Sequence, residues 1–260
     1  MAYEHISVER DGRILVVTIN RPERMNALHP PANAELDRAF NDFAADPDLW
    51  VAIITGAGER AFSAGNDLRW QAEGNAITVP PSGFGGLTSR WDLDKPVIAA
   101  VNGVAMGGGF EVALAADIIL ASDNATFALP EPKVGLAALA GGLHRLPRAI
   151  GVSRAMAMIL TARTVSAAEG KELGFVTEVV PAPDLLTRAK ALAAAMCELS
   201  PLSLRASKQA VLKGLEEPSL RAAYEGQGKY SAVGALFRSE DLREGPLAFA
   251  QKRKPEWKGR

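Results

Sequence analysis

Three successive glycines followed closely by a glutamate form the most informative stretch of the chain. Gly107, Gly108 and Gly109 precede Phe110 and Glu111, where a helix is predicted to begin. Glycines leave their backbone N–H groups uncovered, so a ligand can approach closely. The first N–H groups of a helix have no internal partner and lie at the positive end of its dipole. The stretch therefore predicts an oxyanion hole with Gly108 as a donor and Glu111 beside it.

Glu111 stands in otherwise apolar sequence. Residues 112–116 are Val, Ala, Leu, Ala and Ala, which predicts a mostly buried helix. The glycines alone would fit a tight helix–sheet contact equally well, with Glu111 as an ordinary first-turn acid favoured by the dipole. Burying an unpaired carboxylate is costly, and so the apolar surroundings favour a functional role.

A second candidate carboxylate is Glu131, which lies between Pro130 and Pro132 after a predicted short strand. The prolines stiffen the backbone and remove it from sheet pairing. Two carboxylates in one apolar cavity can differ in pKa, so that one donates a proton while the other holds water. On the local sequence alone, an exposed turn glutamate fits better than a catalytic residue.

A further loop of small residues follows the strand predicted at 51–55. Ala64 and Gly65 leave the backbone open, and Asn66 and Asp67 come next. We predict the Asn66 N–H as the second oxyanion donor, paired with that of Gly108. Asp67 is also suited to cap the following helix, a role that would hold the loop in place.

The composition limits the class of protein. The 260 residues carry a net charge of -1 and 48% hydrophobic residues, so neither nucleic acid nor a membrane is an expected partner. The only cysteine, Cys197, cannot form an internal disulfide, which favours a cytoplasmic location. Residues 1–10 are mixed and charged, unlike a signal peptide. The three histidines are scattered, and no Cys/His cluster predicts a metal site.

Strands alternate with helices early in the chain, and helices dominate later. This order predicts an α/β core over residues 1–195 and a helical region over 196–260. A mobile loop is expected at 72–86, where glycine, proline and small residues show no period. The predicted strands are 14–20, 51–55, 96–101, 118–121 and 126–129, and the predicted helices are 31–45, 108–116, 152–161, 166–172, 183–199, 201–214, 218–229 and 239–251.

Taken in order, these motifs resemble the enoyl-CoA hydratase (crotonase) superfamily over nearly the whole chain. Each motif is weak alone, but the ordered set is specific. The matching segments are 53–56, 62–68, 95–103, 107–111, 116–119, 127–131, 145–147 and 244–249. The resemblance implies a spiral of ββα units followed by a helical trimerisation region, in a homotrimer or a dimer of trimers. It also implies an acyl-CoA thioester substrate and no separate cofactor, because coenzyme A is part of the substrate.

Carried onto this sequence, the resemblance implies hydratase chemistry. Glu111 and Glu131 would position one water, which adds at C3 while a proton reaches C2, and the N–H groups of Asn66 and Gly108 would hold the enolate-like charge. The resemblance implies coenzyme A contacts along the backbone from Arg24 to Ala27. The remaining expected substrate contacts are Met25, Ala64, Gly65, Asp67, Gly107 and Leu139, with Phe249 and Lys252 from a neighbouring subunit.

Within the superfamily, segments 83–87, 92–96 and 239–260 are similar to carnitinyl-CoA dehydratases, which interconvert carnitinyl-CoA and crotonobetainyl-CoA. Two positions depart from the usual pattern. Asn66 often corresponds to a small apolar residue, and its side chain could alter the acyl pocket. Leu139 replaces a glycine near the expected catalytic water, which bears on water positioning and on the turnover rate.

Other classes fit less well. The segment 56–61 mimics a dinucleotide-binding fingerprint, but it lacks the acidic residue expected about 20 positions later. The absence of a Gly-x-Ser-x-Gly motif disfavours a serine hydrolase. An enoyl-CoA isomerase, which can work with one carboxylate, remains an alternative, as does a non-catalytic acyl-CoA-binding protein on the same fold.

Overall fold

The computed structural model describes residues 3–76 and 78–260, which form two β-sheets and a set of helices. The larger sheet has six strands in the order β1-β2-β3-β5-β7-β10, and the smaller has four in the order β4-β6-β8-β9. The strands are β1 (Ile6–Asp11), β2 (Ile14–Ile19), β3 (Val51–Gly56), β4 (Ala61–Ser63), β5 (Val97–Val101), β6 (Val104–Met106), β7 (Ile118–Ser122), β8 (Thr126–Ala128), β9 (Val165–Ser166) and β10 (Glu178–Val180).

Three successive pairs of strands, each consecutive in the chain, contribute one strand to each sheet. In each pair the first strand joins the large sheet and the second joins the small one: β3 and β4, β5 and β6, β7 and β8. The first strands pair in parallel with one another, and so do the second strands. The predicted spiral of ββα units is therefore present.

The central strands β3 and β5 of the large sheet are continuous apolar runs because both of their faces are covered. Every residue of Val51–Gly56 and of Val97–Val101 is buried. One face packs on a cluster that contains Phe40, Phe43 and Phe110, and the other on a second cluster with Leu185 and Ala189. The core predicted from the apolar runs thus lies on both sides of this sheet.

The helices follow the strand pairs and then continue alone to the end of the chain. The predicted helices are recovered within a few residues, while β1, β4, β6, β9 and β10 and two helices were not predicted, and a third helix was anticipated only through its Asp67 cap. The helices are α1 (Pro30–Ala45), α2 (Leu68–Ala72), α3 (Gly108–Ala115), α4 (Gly142–Ile150), α5 (Val152–Thr161), α6 (Ala167–Leu173), α7 (Leu185–Cys197), α8 (Pro201–Gly214), α9 (Leu220–Gly226), α10 (Ser231–Phe237) and α11 (Asp241–Ala250). Within residues 3–76 and 78–260, none of them is long and apolar enough to cross a membrane.

The segment predicted as a mobile loop, 72–86, ends in a packed turn. Phe84, Gly85 and Gly86 form a buried 3-10 turn. The Asn33 side chain accepts a 2.7 Å hydrogen bond from the Gly85 N–H. The prediction of a mobile segment is therefore wrong for its last residues, whereas Ile77 lies outside the described residues. The composition could not predict this buried turn, because glycine allows a packed turn as readily as a loose one.

Candidate active site

The three parallel strands of the small sheet bring the candidate residues together. β4 leads into the loop with Asn66, β6 leads into Gly107 and Gly108, and β8 leads into the turn with Glu131. Because β6 pairs with both of its neighbours in parallel, the three carboxyl ends meet at one edge of the sheet. Such an edge is a common place for ligand binding in parallel sheets.

Glu111 is a buried carboxylate with a raised pKa. It lies in the first turn of α3, and only 3% of its surface is exposed. Its Oε1 accepts a hydrogen bond of 2.8 Å from the N–H of Gly142, at the start of α4. Burial and the negative charge of Glu131 raise the pKa of Glu111 to about 7, although the hydrogen bond from the Gly142 N–H acts in the opposite direction. Glu111 can therefore exchange a proton near neutral pH.

Glu131 is the second buried carboxylate, and part of it is unpaired. It begins a 3-10 turn after β8 and is 9% exposed. Its Oε2 has no hydrogen-bond partner among the described residues. Burial raises its pKa above the usual range of a glutamate. An unpaired buried carboxylate oxygen is costly unless a ligand or water satisfies it, and so Glu131 is available to a bound reactant.

Gly107 allows Glu131 to approach the start of α3. It has a left-handed φ of 53°, and a Cβ atom built on it would lie 2.9 Å from Glu131 Oε1. Its N–H donates to the Ala128 carbonyl at 2.9 Å, which joins the ends of β6 and β8. A side chain here would fill the space next to the Glu131 carboxylate, so the glycine is required by close approach.

The N–H groups of Asn66 and Gly108 are both available as hydrogen-bond donors. Gly108 is the first residue of α3, where the backbone N–H has no partner within the helix. The N–H of Asn66 meets no protein acceptor in residues 3–76 and 78–260, although the N–H groups of Ala64, Gly65 and Asp67 all do. Two free donors at one sheet edge, close to two buried carboxylates, can hold a developing negative charge.

Gly65 fixes the spacing between these two donors. It has φ 86°, and a Cβ atom on it would lie 2.6 Å from the Met106 carbonyl oxygen and 2.8 Å from the Gly108 nitrogen. The Asn66 loop and the start of α3 are therefore in direct backbone contact. This contact confirms that the structure brings the two predicted donor segments together.

We expect Gly65→Ala to destabilise the protein and to separate the two donors. Overpacking of this kind typically costs about 1–3 kcal/mol, in addition to the strain of a left-handed alanine. Gly74→Ala is the matched control, because Gly74 has a similar φ of 82° but a Cβ atom added there would meet nothing within 4 Å. Thermal unfolding measures both variants. Equal losses of stability would mean that the close contact at Gly65 contributes nothing.

Arg145 places a positive charge close to Glu111. It lies on α4, stacks over Trp91 at 5.1 Å and donates to the Thr88 carbonyl at 2.9 Å. Its charge lowers the pKa of Glu111, against the effect of burial. The segment 145–147 was recognised in the sequence as a motif, but only the structure shows this connection to Glu111.

The residues expected along the coenzyme A path fall into two groups. Met25 has a left-handed φ of 52°, and its carbonyl accepts from the Ala64 N–H at 2.9 Å, so the 24–27 segment adjoins the Asn66 loop. Arg24 and Ala27 belong to the same turn, which Ala27 N–H closes on the Arg24 carbonyl at 3.0 Å.

The other group is exposed on the single chain. Leu139, in the turn before α4, is 79% exposed, and Phe249, near the end of α11, is 87% exposed. Lys252 follows on the surface with a left-handed φ of 54°. The contacts of these three residues with substrate remain predictions. The contacts of Phe249 and Lys252 are predicted to form across a subunit boundary.

Two buried polar residues at the site were not predicted from the sequence. The Asn26 side chain accepts from the Arg21 N–H and donates to the carbonyls of Ala57 and Ala61. The Arg21 guanidinium forms an ion pair with Asp67 at 3.0 Å. Nothing in their local sequence marks them, because both follow a strand in a turn that reads as ordinary surface. Asp67 itself caps α2 as predicted, accepting from the Trp70 N–H at 3.3 Å.

The similarity of the chain to known proteins gives its class. The family model of enoyl-CoA hydratase/isomerase matches residues 9–260, and the chain belongs to this family. The enoyl-CoA hydratase of Mycobacterium tuberculosis H37Rv has a similar structure, with a TM-score of 0.92, 38% identity, and coverage of 98% of this chain and 99% of that chain. The predicted crotonase-like fold is confirmed.

Carnitinyl-CoA dehydratases are among the similar proteins. The one from Escherichia coli K12 is 45% identical over 260 residues, covering 99% of each protein. The carnitinyl-CoA hydratase of Mycobacterium avium has 38% identity and a TM-score of 0.78, with coverage of 98% of this chain and 99% of that chain. The resemblance found in the sequence is therefore confirmed both for the superfamily and for this branch.

Proposed function

We propose that the protein is an enoyl-CoA hydratase-type lyase that adds water reversibly across the 2,3 double bond of an enoyl-CoA thioester. The observation that supports this most directly is the pair of buried glutamates, Glu111 and Glu131, next to the free N–H groups of Asn66 and Gly108. A hydratase needs proton exchange at C2 and at the water, and stabilisation of an enolate oxygen. Each requirement has a residue in place.

In the proposed reaction, the thioester oxygen accepts hydrogen bonds from the Asn66 and Gly108 N–H groups. A carboxylate of the glutamate pair takes a proton from water as the water oxygen bonds to C3. The electron pair of the double bond moves to the enolate, whose charge the two donors stabilise. The protonated member of the pair then donates a proton to C2, so the net addition is one water. Because the charge of Glu131 raises the pKa of Glu111, we assign the two protons of the reaction to the pair of carboxylates and not to one residue each.

Hydration of crotonobetainyl-CoA is the second candidate reaction, and the full-length identity of 45% to a carnitinyl-CoA dehydratase favours it. The water chemistry is the same, and the difference lies in the acyl group. In this part of the proposal, Asn66 is a candidate to shape the acyl pocket. Its side-chain amide donates to Gln71 Oε1 at 3.1 Å, so a polar pair lies next to the proposed oxyanion donor.

The test is the loss of absorbance of a conjugated thioester when the purified protein meets crotonyl-CoA, with crotonobetainyl-CoA run alongside. Rapid loss with crotonyl-CoA supports a general hydratase, and loss only with crotonobetainyl-CoA assigns the second reaction. A 3-hydroxyacyl product distinguishes a hydratase from an isomerase, which would shift the double bond. No loss with either substrate would contradict the proposal and favour a binding protein.

The proposed reaction uses acyl-CoA as its substrate and requires no separate cofactor. Within the described parts of the chain, no cluster of three or more His, Cys, Asp or Glu residues could hold a metal ion. The Arg24–Ala27 backbone and Ala64 are the proposed coenzyme A contacts of the same chain. A cytoplasmic location is part of the proposal and is based on the single cysteine, Cys197.

The proposed assembly is a homotrimer or a dimer of trimers. Several large apolar side chains of the C-terminal helices are exposed on the single chain, including Leu215 at 71%, Leu220 at 87% and Phe237 at 68%. Exposed apolar patches of this kind favour association. We expect light scattering after size-exclusion chromatography to give the mass of three or six chains. A monomeric mass at micromolar concentration would contradict this assembly and leave Phe249 and Lys252 without a partner site.

A further inference from the structure

The Asn66 loop is attached to the 25–28 segment by its backbone. The Ala64 N–H donates to the Met25 carbonyl at 2.9 Å, and the Leu28 N–H donates to the Gly65 carbonyl at 2.7 Å. The Asp67 N–H then donates to the Leu28 carbonyl at 3.1 Å. The two segments meet in a parallel bridge between Leu28 and Asn66. The bridge uses groups on both sides of the Asn66 N–H and leaves that donor free.

The Arg21 side chain contacts both segments that form this bridge. Its Nη2 lies 3.0 Å from Asp67 Oδ2, and its Nη1 donates to the Ala27 carbonyl. The side chains of Arg21 and Asp67 are only 10% and 8% exposed. One guanidinium therefore connects the residue that follows Asn66 with the segment on which the loop lies. A planar guanidinium can serve two separate acceptors in fixed directions, which an ammonium group does less well.

The other oxygen of Asp67 extends the connection into α2. Asp67 Oδ1 accepts from the Trp70 N–H at 3.3 Å and so caps the helix. Burial raises the pKa of this carboxyl, but the hydrogen bonds from the Trp70 N–H and from Arg21, together with the Arg21 charge, hold the pKa below its usual value. Asp67 thus stays charged at neutral pH, and each of its two carboxylate oxygens has a partner: Arg21 for Oδ2 and the Trp70 N–H for Oδ1.

We propose that Arg21, through its buried ion pair with Asp67, is a positioning residue that aims the Asn66 N–H into the oxyanion hole. This inference rests on the proposed hydratase function. Arg21 is not one of the proposed substrate contacts, and its side chain acts through Asp67 and the bridge at Leu28. Loss of the ion pair would release the loop at the residue adjoining the donor, while Glu111 and Glu131 would keep their places.

The experiment uses the full-length protein and two readouts. The first is kcat and KM with crotonyl-CoA. The second is the absorbance of bound 2,4-hexadienoyl-CoA, which shifts to longer wavelength when hydrogen bonds polarise its thioester carbonyl. We expect Arg21→Gln to lower kcat by about 10²-fold, the usual effect of misplacing a catalytic group by about 1 Å, and to shrink the red shift. KM should change much less, and Arg21→Lys should restore part of both readouts.

Asp67→Asn and Lys208→Gln complete the set. Asp67→Asn keeps an oxygen for the helix cap and removes the charge, so it repeats the test if Arg21→Gln fails to fold. Lys208→Gln is the matched control, because Lys208, on α8, forms a partly buried ion pair at 2.8 Å with Asp117, which lies between α3 and β7. It should lower the thermal stability and leave the red shift and kcat as in the wild type.

The outcomes separate the two proposals. If the Arg21 and Asp67 variants lose stability as Lys208→Gln does but keep the full red shift and kcat, the ion pair is only structural and the inference is wrong. If the wild-type protein turns over neither crotonyl-CoA nor crotonobetainyl-CoA and does not shift the probe, the proposed function itself is contradicted.

Discussion

Glu131→Gln is expected to lower the rate of crotonyl-CoA hydration by about 10²- to 10⁴-fold, the usual contribution of a positioned acid or base. The amide keeps the size and shape of the carboxyl group, including the oxygen that lies beside Gly107. It can neither accept a proton from water nor return one to C2. The steady-state loss of enoyl thioester absorbance gives the rate.

The comparison must separate chemistry from binding. We expect the dissociation constant of a saturated acyl-CoA to change little, because the proposed coenzyme A contacts do not include Glu131. Glu172→Gln, an exposed glutamate on α6, is the control and should behave like the wild type. A Glu131→Gln enzyme with near wild-type kcat would remove Glu131 from the mechanism.

Glu111→Gln is expected to abolish activity and yet make the protein more stable at pH 8. The folded protein holds the Glu111 proton with a pKa of about 7, compared with 4.5 for an ordinary glutamate. The stability that this group provides is therefore complete below about pH 4.5 and is lost as the pH rises through 7. Above pH 7 the buried carboxylate is charged, at a cost of about 3 kcal/mol relative to an unshifted group. Glutamine carries no charge and can still accept from the Gly142 N–H.

Urea unfolding at two pH values measures this effect. We expect the variant to exceed the wild type by about 3 kcal/mol at pH 8 and by much less at pH 5, because the wild-type carboxyl is then mostly protonated in the folded state. Glu172→Gln should show no such dependence on pH. If Glu111→Gln were less stable than the wild type at pH 8, burial would not be what raises the pKa of Glu111. The expected higher stability of Glu111→Gln at pH 8 would mean that the wild-type protein keeps its site at the expense of stability.

Most of the candidate site could be proposed from the sequence because its residues carry local signals. A run of glycines at a helix start marks Gly108, and a carboxylate in an apolar helix marks Glu111. Glu131 has no such signal, since a glutamate between prolines is usually exposed. Its burial depends on the pairing of β6 with β8, which places its turn against Gly107. The resemblance to a family, and not the local sequence, made this residue a candidate.

The parts that escaped prediction depend on contacts between distant segments. Strands of two or three residues, such as β4 and β9, are too short to show a period, and pairing with neighbouring strands defines them. The ion pair between Arg21 and Asp67 joins residues from different strand units. Phe84 was assigned to a loop, but it is buried, and its ring lies 2.5 Å from the position of a Cβ built on Gly108. None of these contacts can be recognised from the sequence of the neighbouring residues alone.

Because the candidate site is shared among β4, β6 and β8, we expect the protein to acquire activity late in folding. These strands are short, come from well-separated parts of the chain and pair in parallel, so each pairing closes a long loop. Such non-local pairings form slowly compared with helices. Neither the two proposed oxyanion donors nor the two carboxylates can take their relative places until the small sheet is complete. During refolding, recovery of turnover should therefore lag behind recovery of helical circular dichroism.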